Sequence, residues 1–149
     1  MSSQVHTEMS QQVYCALAED PVDDVFRHMK ELGVRHLPVV KGGQLIGVVS
    51  DRDIYLAAKK EAELITFPAA LCIKDIMTVS AISCRPNARL GDVADLMLRE
   101  HIDALPVTTT SNELIGIITT TDLVRHLRRA EGVRDETAIS SKFSVKRII

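Results

Sequence analysis

The chain of 149 residues has no tryptophan, only two tyrosines and only three phenylalanines. A core built from it must be aliphatic, and few rings are left to stack the bases of single-stranded nucleic acid. Neither sign of charge is in excess. Its 18 basic and 20 acidic side chains leave a formal net charge of −2, which gives no electrostatic ground for a DNA or RNA partner. The cluster Arg125, Arg128, Arg129 is too small to reverse that. No apolar run approaches the ~18 residues of a membrane span. The opening stretch MSSQVHTEMSQQ has neither the basic region nor the apolar region of a signal peptide. Cys15, Cys72 and Cys84 are odd in number and lack CxxC spacing, as expected of free thiols in a reducing compartment. His6, His28, His36, His101 and His126 share no metal-ligand spacing. No nucleophile–base pair or phosphate-cradling glycine loop stands out, so an enzyme is not expected. The expected setting is the cytoplasm, without membrane or nucleic acid as partner.

What the chain does have, it has twice. RHLPVVKGGQLIGVVSDRD (Arg35–Asp53) and DALPVTTTSNELIGIITTTD (Asp103–Asp122) share Leu-Pro-Val, a polar turn, Leu-Ile-Gly, two β-branched residues, a hydroxyl, and an Asp three positions on. With Pro38 set on Pro106, Met9 meets Met77, Asp24 meets Asp92, Val25 meets Val93 and Met29 meets Met97. Beyond the turn the offset grows by one, so that Gly47 meets Gly116 and Asp53 meets Asp122. The slip falls in a surface turn, where an insertion costs least. Two copies are too few for a solenoid. Half of this chain would bury only a marginal core. The expectation is therefore two α/β (α+β) units, each β-α-β-β-α, packed through their sheets about a pseudo-two-fold axis: residues 9–60, a linker 61–74, residues 75–130, and a tail 131–149.

In the first unit Asp20-Pro21 reads as an N-cap with proline at the first helical position. Val22, Val25, Phe26, Met29 and Leu32 recur at helical spacing, and Gly33 suits a left-handed C-cap, predicting a helix over about 21–32. Leu37–Val40 and Leu45–Val49 read as strands joined by Lys41-Gly42-Gly43-Gln44, with a helix from Ser50 to about Lys60. An opening strand is expected near Val13–Ala16. The second unit repeats the order, with strands near 81–84, 105–108 and 114–118 and helices over about 88–100 and 120–130. The stripes Val22/Phe26/Met29 and Leu90/Val93/Met97 look too broad for one internal contact, so at least a dimer is expected.

Ser50-x-x-Asp53 and Thr119-x-x-Asp122 each open a helix. One reading is a capping box. Another uses the same geometry for a ligand: free N–H groups and a positive helix end suit a phosphate, and a fixed carboxylate beside them can accept the hydroxyls of a ribose. Gly47 and Gly116, mid-strand, either let a ligand approach the backbone or mark close packing against a neighbouring element. Arg52 opposes the dipole preference of a first helical turn and so invites an anion, or is simply a solvated surface arginine.

The repeated pattern resembles the CBS domain, and two in tandem resemble a Bateman module, over about residues 9–130. The resemblance implies a regulatory sensor, with no catalytic activity and no required cofactor, that binds AMP, ADP, ATP or a related adenosyl ligand between its units. The rival reading is a ligand-free module that dimerises or docks on a regulated protein. By the resemblance, adenine would lie against Tyr14, Cys15, His36 and Leu37 in unit one and against Ile82, Ser83, Ala104 and Leu105 in unit two. Ribose would meet Ser50 and Asp53, or Thr119 and Asp122, and phosphate would meet Arg52. Unit two carries Thr121 where unit one has Arg52, and Asp103 where it has Arg35, so a phosphorylated ligand is expected to prefer the Ser50–Asp53 site.

Overall fold

A computed structural model of the chain describes residues 2–79 and 82–132. Each unit is organised round one hairpin and two helices. In the first, strand β1 (Ala16–Leu17) leads into helix α1 (Val22–Leu32), then the hairpin β2 (His36–Lys41) and β3 (Gln44–Ser50), then helix α2 (Asp51–Ala57). A small hairpin, β4 (Lys59–Glu61) with β5 (Leu64–Thr66), follows, and then β6 (Thr78–Val79). The second unit has helix α3 (Leu90–Glu100), hairpin β7 (Ala104–Thr108) and β8 (Leu114–Thr119), and helix α4 (Thr120–Glu131).

The local chemistry follows the residues. Gly33 ends α1 in the left-handed region at φ 66°, donating to the Lys30 and Met29 carbonyls. Gly42 and Gly43 both take positive φ, the requirement of a two-residue hairpin turn. Asp20 does not cap α1, whose N-cap is Pro21. Its carboxylate accepts the Leu17 N–H at 2.8 Å and braces the turn before the helix. Helix α2 stops at Ala57, short of the expected Lys60, because residues 59–61 pair with 64–66. The expected strand near 81–84 is reduced, among the described residues, to a single parallel bridge from Cys84 to Val107. Residues 133–149 of the expected tail lie outside the described residues.

The two halves are interlocked. Strand β6, which follows the linker, pairs with β3 of the first unit at Gly47–Val79 and Val48–Thr78. Ser10, at the start of the chain, makes the equivalent antiparallel bridge to Ile117 of the second unit. Val5 is fully buried in the second unit's core beside Leu90, Val93, Met97, Leu105 and Ile118, while Ile73 is fully buried in the first beside Val22, Met29, Val39 and Ile54. Backbone bonds seal both crossings: Val5 N–H to the Ala88 carbonyl at 2.9 Å, and Ile73 N–H to the Asp20 carbonyl at 3.0 Å. The hairpin turns also meet, Leu45 N–H donating to the Asn112 carbonyl at 3.1 Å and Leu114 N–H to the Gly43 carbonyl at 3.2 Å.

This packing corrects one expectation and decides between two readings of the mid-strand glycines. Val22 and Met29 in the first unit and Leu90, Val93 and Met97 in the second are spent inside the two cores, Phe26 packs against the first, and the apolar side chains left open lie elsewhere, Leu56, Leu64, Val79, Leu98, Val124 and Leu127 among them. Gly47 and Gly116 are not ligand windows. A β-carbon on Gly47 would lie 2.7 Å from the Thr78 carbonyl oxygen, and one on Gly116 would lie 2.7 Å from the Met9 sulfur. Each glycine makes room for the crossing segment of the other half.

Candidate functional site

Both Ser/Thr-x-x-Asp turns form complete capping boxes. Ser50 Oγ accepts the Asp53 N–H at 3.1 Å, while Asp53 Oδ2 accepts the Ser50 N–H and hydroxyl, each at 2.9 Å. Thr119 Oγ1 accepts the Asp122 N–H at 3.3 Å, and Asp122 Oδ2 accepts from the Thr119 N–H at 2.8 Å and hydroxyl at 3.0 Å. The two carboxylates differ at their outer oxygen. Asp122 Oδ1 receives Arg125 at 2.8 Å, and its side chain is only 8% exposed. Asp53 Oδ1 has no protein donor among the described residues, because the position equivalent to Arg125 is Leu56.

Each box opens into a cleft whose far wall belongs to the other unit. The first cleft, of about 380 Å³, joins Tyr14, His36 and Leu37 of unit one to Thr119, Thr121, Asp122 and Arg125 of unit two. The second, of about 370 Å³, joins Ser50, Arg52 and Asp53 of unit one to Ile82, Ile102 and Ala104 of unit two. Volumes in this range suit a drug-sized ligand. The residues expected at the base thus lie across each cleft from those expected at the ribose, in the opposite unit. The structure also leaves three candidates outside both clefts. Cys15 lies in a separate hollow with Asp20, His28 and Glu31 against α1. Leu105 is fully buried in the second core, and Ser83 accepts a hydrogen bond from the Thr108 hydroxyl at 3.3 Å.

The sequence reading missed several lining residues. Ser10 and Gln12 border the first cleft, and their segment is pinned to α4 through Glu8, which accepts from His126 Nδ1 at 2.9 Å and from Arg129. Burial alone would raise the Glu8 pKa, but the His126 and Arg129 donors carry it below its ordinary value. Arg125 supplies the Thr119 cleft with a cation after all, three residues past Asp122 on the same helix face, a spacing visible in the sequence. Arg52 lies on a helix of only seven residues, whereas α4 runs for twelve. His36 borders both clefts. Burial pushes its pKa down, against the opposing pull of Asp103, Asp51 and Asp53. Among the described residues no group of His, Cys, Asp or Glu is arranged to hold a metal ion, and no helix is long and apolar enough to cross a membrane.

Paired hairpin-and-helix units, locked by crossed segments with a hydroxyl–carboxylate turn facing each intervening cleft, define a tandem module of two like domains. The CBS domain family model matches residues 3–60 and 73–129, and the chain belongs to that family. It is 31% identical over 121 residues to the CBS domain-containing protein YhcV of Bacillus subtilis, covering 81% of this chain and 83% of that protein. It is also 36% identical over 118 residues to an inosine-5'-monophosphate dehydrogenase of Korarchaeum cryptofilum, covering 79% of this chain but 23% of the enzyme. The chain spans less than half the length of this and other curated relatives it matches. In structure it resembles CBSX2, a CBS-pair protein from Arabidopsis thaliana, with a TM-score of 0.74 and 27% identity over 88% of this chain and 98% of that one. CBSX2 solved in complex with AMP gives a TM-score of 0.76 at 26% identity, over 87% of this chain and 98% of that one.

Proposed function

We propose that this chain is a regulatory module that binds an adenine nucleotide or related adenosyl ligand in the clefts between its two units and acts without catalysis of its own. The observation that carries the reading is the first cleft. There a base-sized apolar wall (Tyr14, Leu37, with His36) faces a hydroxyl–carboxylate turn from the opposite unit at the start of a twelve-residue helix. An adenosyl group would set its ring on the first wall and its ribose on Asp122, with phosphate toward Arg35 and Arg125. The second cleft would hold the ring at Ile82 and Ala104 and the ribose at Asp53, whose outer oxygen is open. Likeness to an AMP-binding CBS pair supports the same ligand class. The likeness to the dehydrogenase covers under a quarter of that enzyme, and no dehydrogenase reaction is proposed here.

The rival reading is a ligand-free module that associates with itself or with a regulated protein in the cytoplasm. One observation favours it: both carboxylates already serve as helix caps, while Leu56 and Leu98 stand more than three-quarters exposed. Thermal-shift titration with AMP, ADP, ATP, S-adenosylmethionine and, as control, GMP separates the two. Saturable stabilisation by an adenosyl compound and not by GMP is the expected result. No shift with any adenosyl compound overturns the sensor reading in favour of its rival.

A further inference from the structure

We infer that Arg35 serves both clefts and couples them, so that an anionic ligand held in one weakens the binding of a second in the other. The inference rests on the nucleotide reading above. Arg35, His36 and Asp103 border both clefts and form the partition between them. The Arg35 side chain is 72% exposed, and its ion pair, from Nε to Asp51 Oδ2, is long at 3.5 Å. So weak a surface pair gives little resistance to a competing anion.

The charge on either side makes that guanidinium decisive. Leaving Arg35 aside, the first cleft sets Arg125 against Asp103 and Asp122, and Arg125 is already engaged with Asp122. The second sets Arg52 against Asp51, Asp53 and Asp103. Carboxylates outnumber guanidiniums in both; Arg35 brings the first cleft to balance and leaves the second with one carboxylate in excess. His36, disfavoured by burial from taking a proton, adds no full charge at neutral pH. A guanidinium turned to a phosphate in one cleft offers the other fewer of its N–H donors and a charge already largely neutralised. The first anionic ligand therefore takes Arg35, and the less acidic first cleft takes it first, the reverse of the order expected from Arg52 and Thr121, because Arg125 supplies a cation there while Asp51 adds a carboxylate to the second cleft. The second ligand then meets Arg52 alone among three carboxylates.

Titration calorimetry of the full chain with AMP and with adenosine, at low ionic strength, reads this directly. AMP is expected to bind in two steps, separated by about ten-fold or more beyond the statistical factor, the size of one charge-assisted hydrogen bond. Adenosine, without a phosphate, shows no such gap. Arg35→Ala weakens the first AMP step by about ten-fold and leaves the second step and adenosine unchanged, closing the gap, and Arg35→Lys retains part of it. Two equal AMP steps, a single site per chain, or a gap that survives Arg35→Ala overturns the coupling and leaves the nucleotide reading standing. AMP failing to bind where adenosine binds does the same. Failure of both ligands to bind overturns the reading, and the coupling with it.

Discussion

Met77 lies across Gly47 so closely that a β-carbon there would stand 2.9 Å from its sulfur and 2.7 Å from the next carbonyl oxygen, that of Thr78. At Gly116 the nearest atom is instead a methionine sulfur, that of Met9, at 2.7 Å, and the nearest carbonyl, that of Ser10, is further off at 3.1 Å. A thioether can swing aside, while a paired backbone carbonyl cannot do so without moving its strand. Gly47→Ala should therefore destabilise by about 1–3 kcal/mol, and Gly116→Ala by less. Urea unfolding of the two variants checks the order, which equal losses would contradict.

The two carboxylates should separate stability from binding. Asp53→Ala removes a cap, costing about 0.5–2 kcal/mol. Because its outer oxygen is open, the same change should also cut adenosine affinity at the second cleft by roughly ten- to a hundred-fold, the worth of a charge-assisted hydrogen bond. Asp122 is nearly buried and engaged at both oxygens, so Asp122→Ala should cost more in stability than Asp53→Ala. Calorimetry together with denaturant melts tests this, and unchanged adenosine affinity in Asp53→Ala removes that residue from the ribose role.

His36 should make stability fall in mild acid. Its folded pKa lies below its ordinary 6.5, principally through burial. A base so shifted stabilises the fold fully above its unfolded pKa and loses that contribution as pH falls toward the folded value. Unfolding measured at pH 7.5 and pH 5 should show a loss that His36→Gln reduces. An identical loss in the variant would place the acid sensitivity elsewhere.

Self-association is expected, though not through the stripes the sequence suggested. Leu98 is 77% exposed, Val124 66% and Leu127 58%, on the two helices of the second unit. Between α3 and α4, Leu98 and Val124 border a hollow of about 480 Å³, also lined by Ala94. In the first unit Phe26 and Tyr55 hold the equivalent places, in edge contact with ring centroids 5.3 Å apart. Sedimentation of the wild type at micromolar concentration should give more than one chain's mass, and Leu98→Asp should return it to one. A wild-type monomer would leave the exposed leucines for another partner.

The parts of this molecule legible in its sequence are those set by neighbours along the chain. The Gly33 cap, the Gly42-Gly43 turn and both hydroxyl–carboxylate boxes depend on residues within a few positions, and the repeat located the second set once the first was read. The β4–β5 hairpin was hidden because its turn places Ala62 at φ 57°, where glycine or asparagine would have advertised it, and its first strand is wholly charged and exposed. The composition of each cleft was hidden for a different reason. Spacing shows that Asp122 opens a helix but not that it faces Tyr14, 108 positions earlier, since only the crossing of the halves brings them together.

That crossing has a bearing on how such a chain can be divided. Cut at the linker, neither half would keep the segment that completes its own core, for Val5 would leave with the wrong piece and so would Ile73. Two copies of a half-length chain could rebuild the architecture only by trading arms, each lending its opening residues to the other. Fused as they are here, the arms stay within one molecule. The exchange no longer depends on concentration, and the two halves are free to diverge, Arg35 from Asp103 and Leu56 from Arg125, without losing their hold on each other.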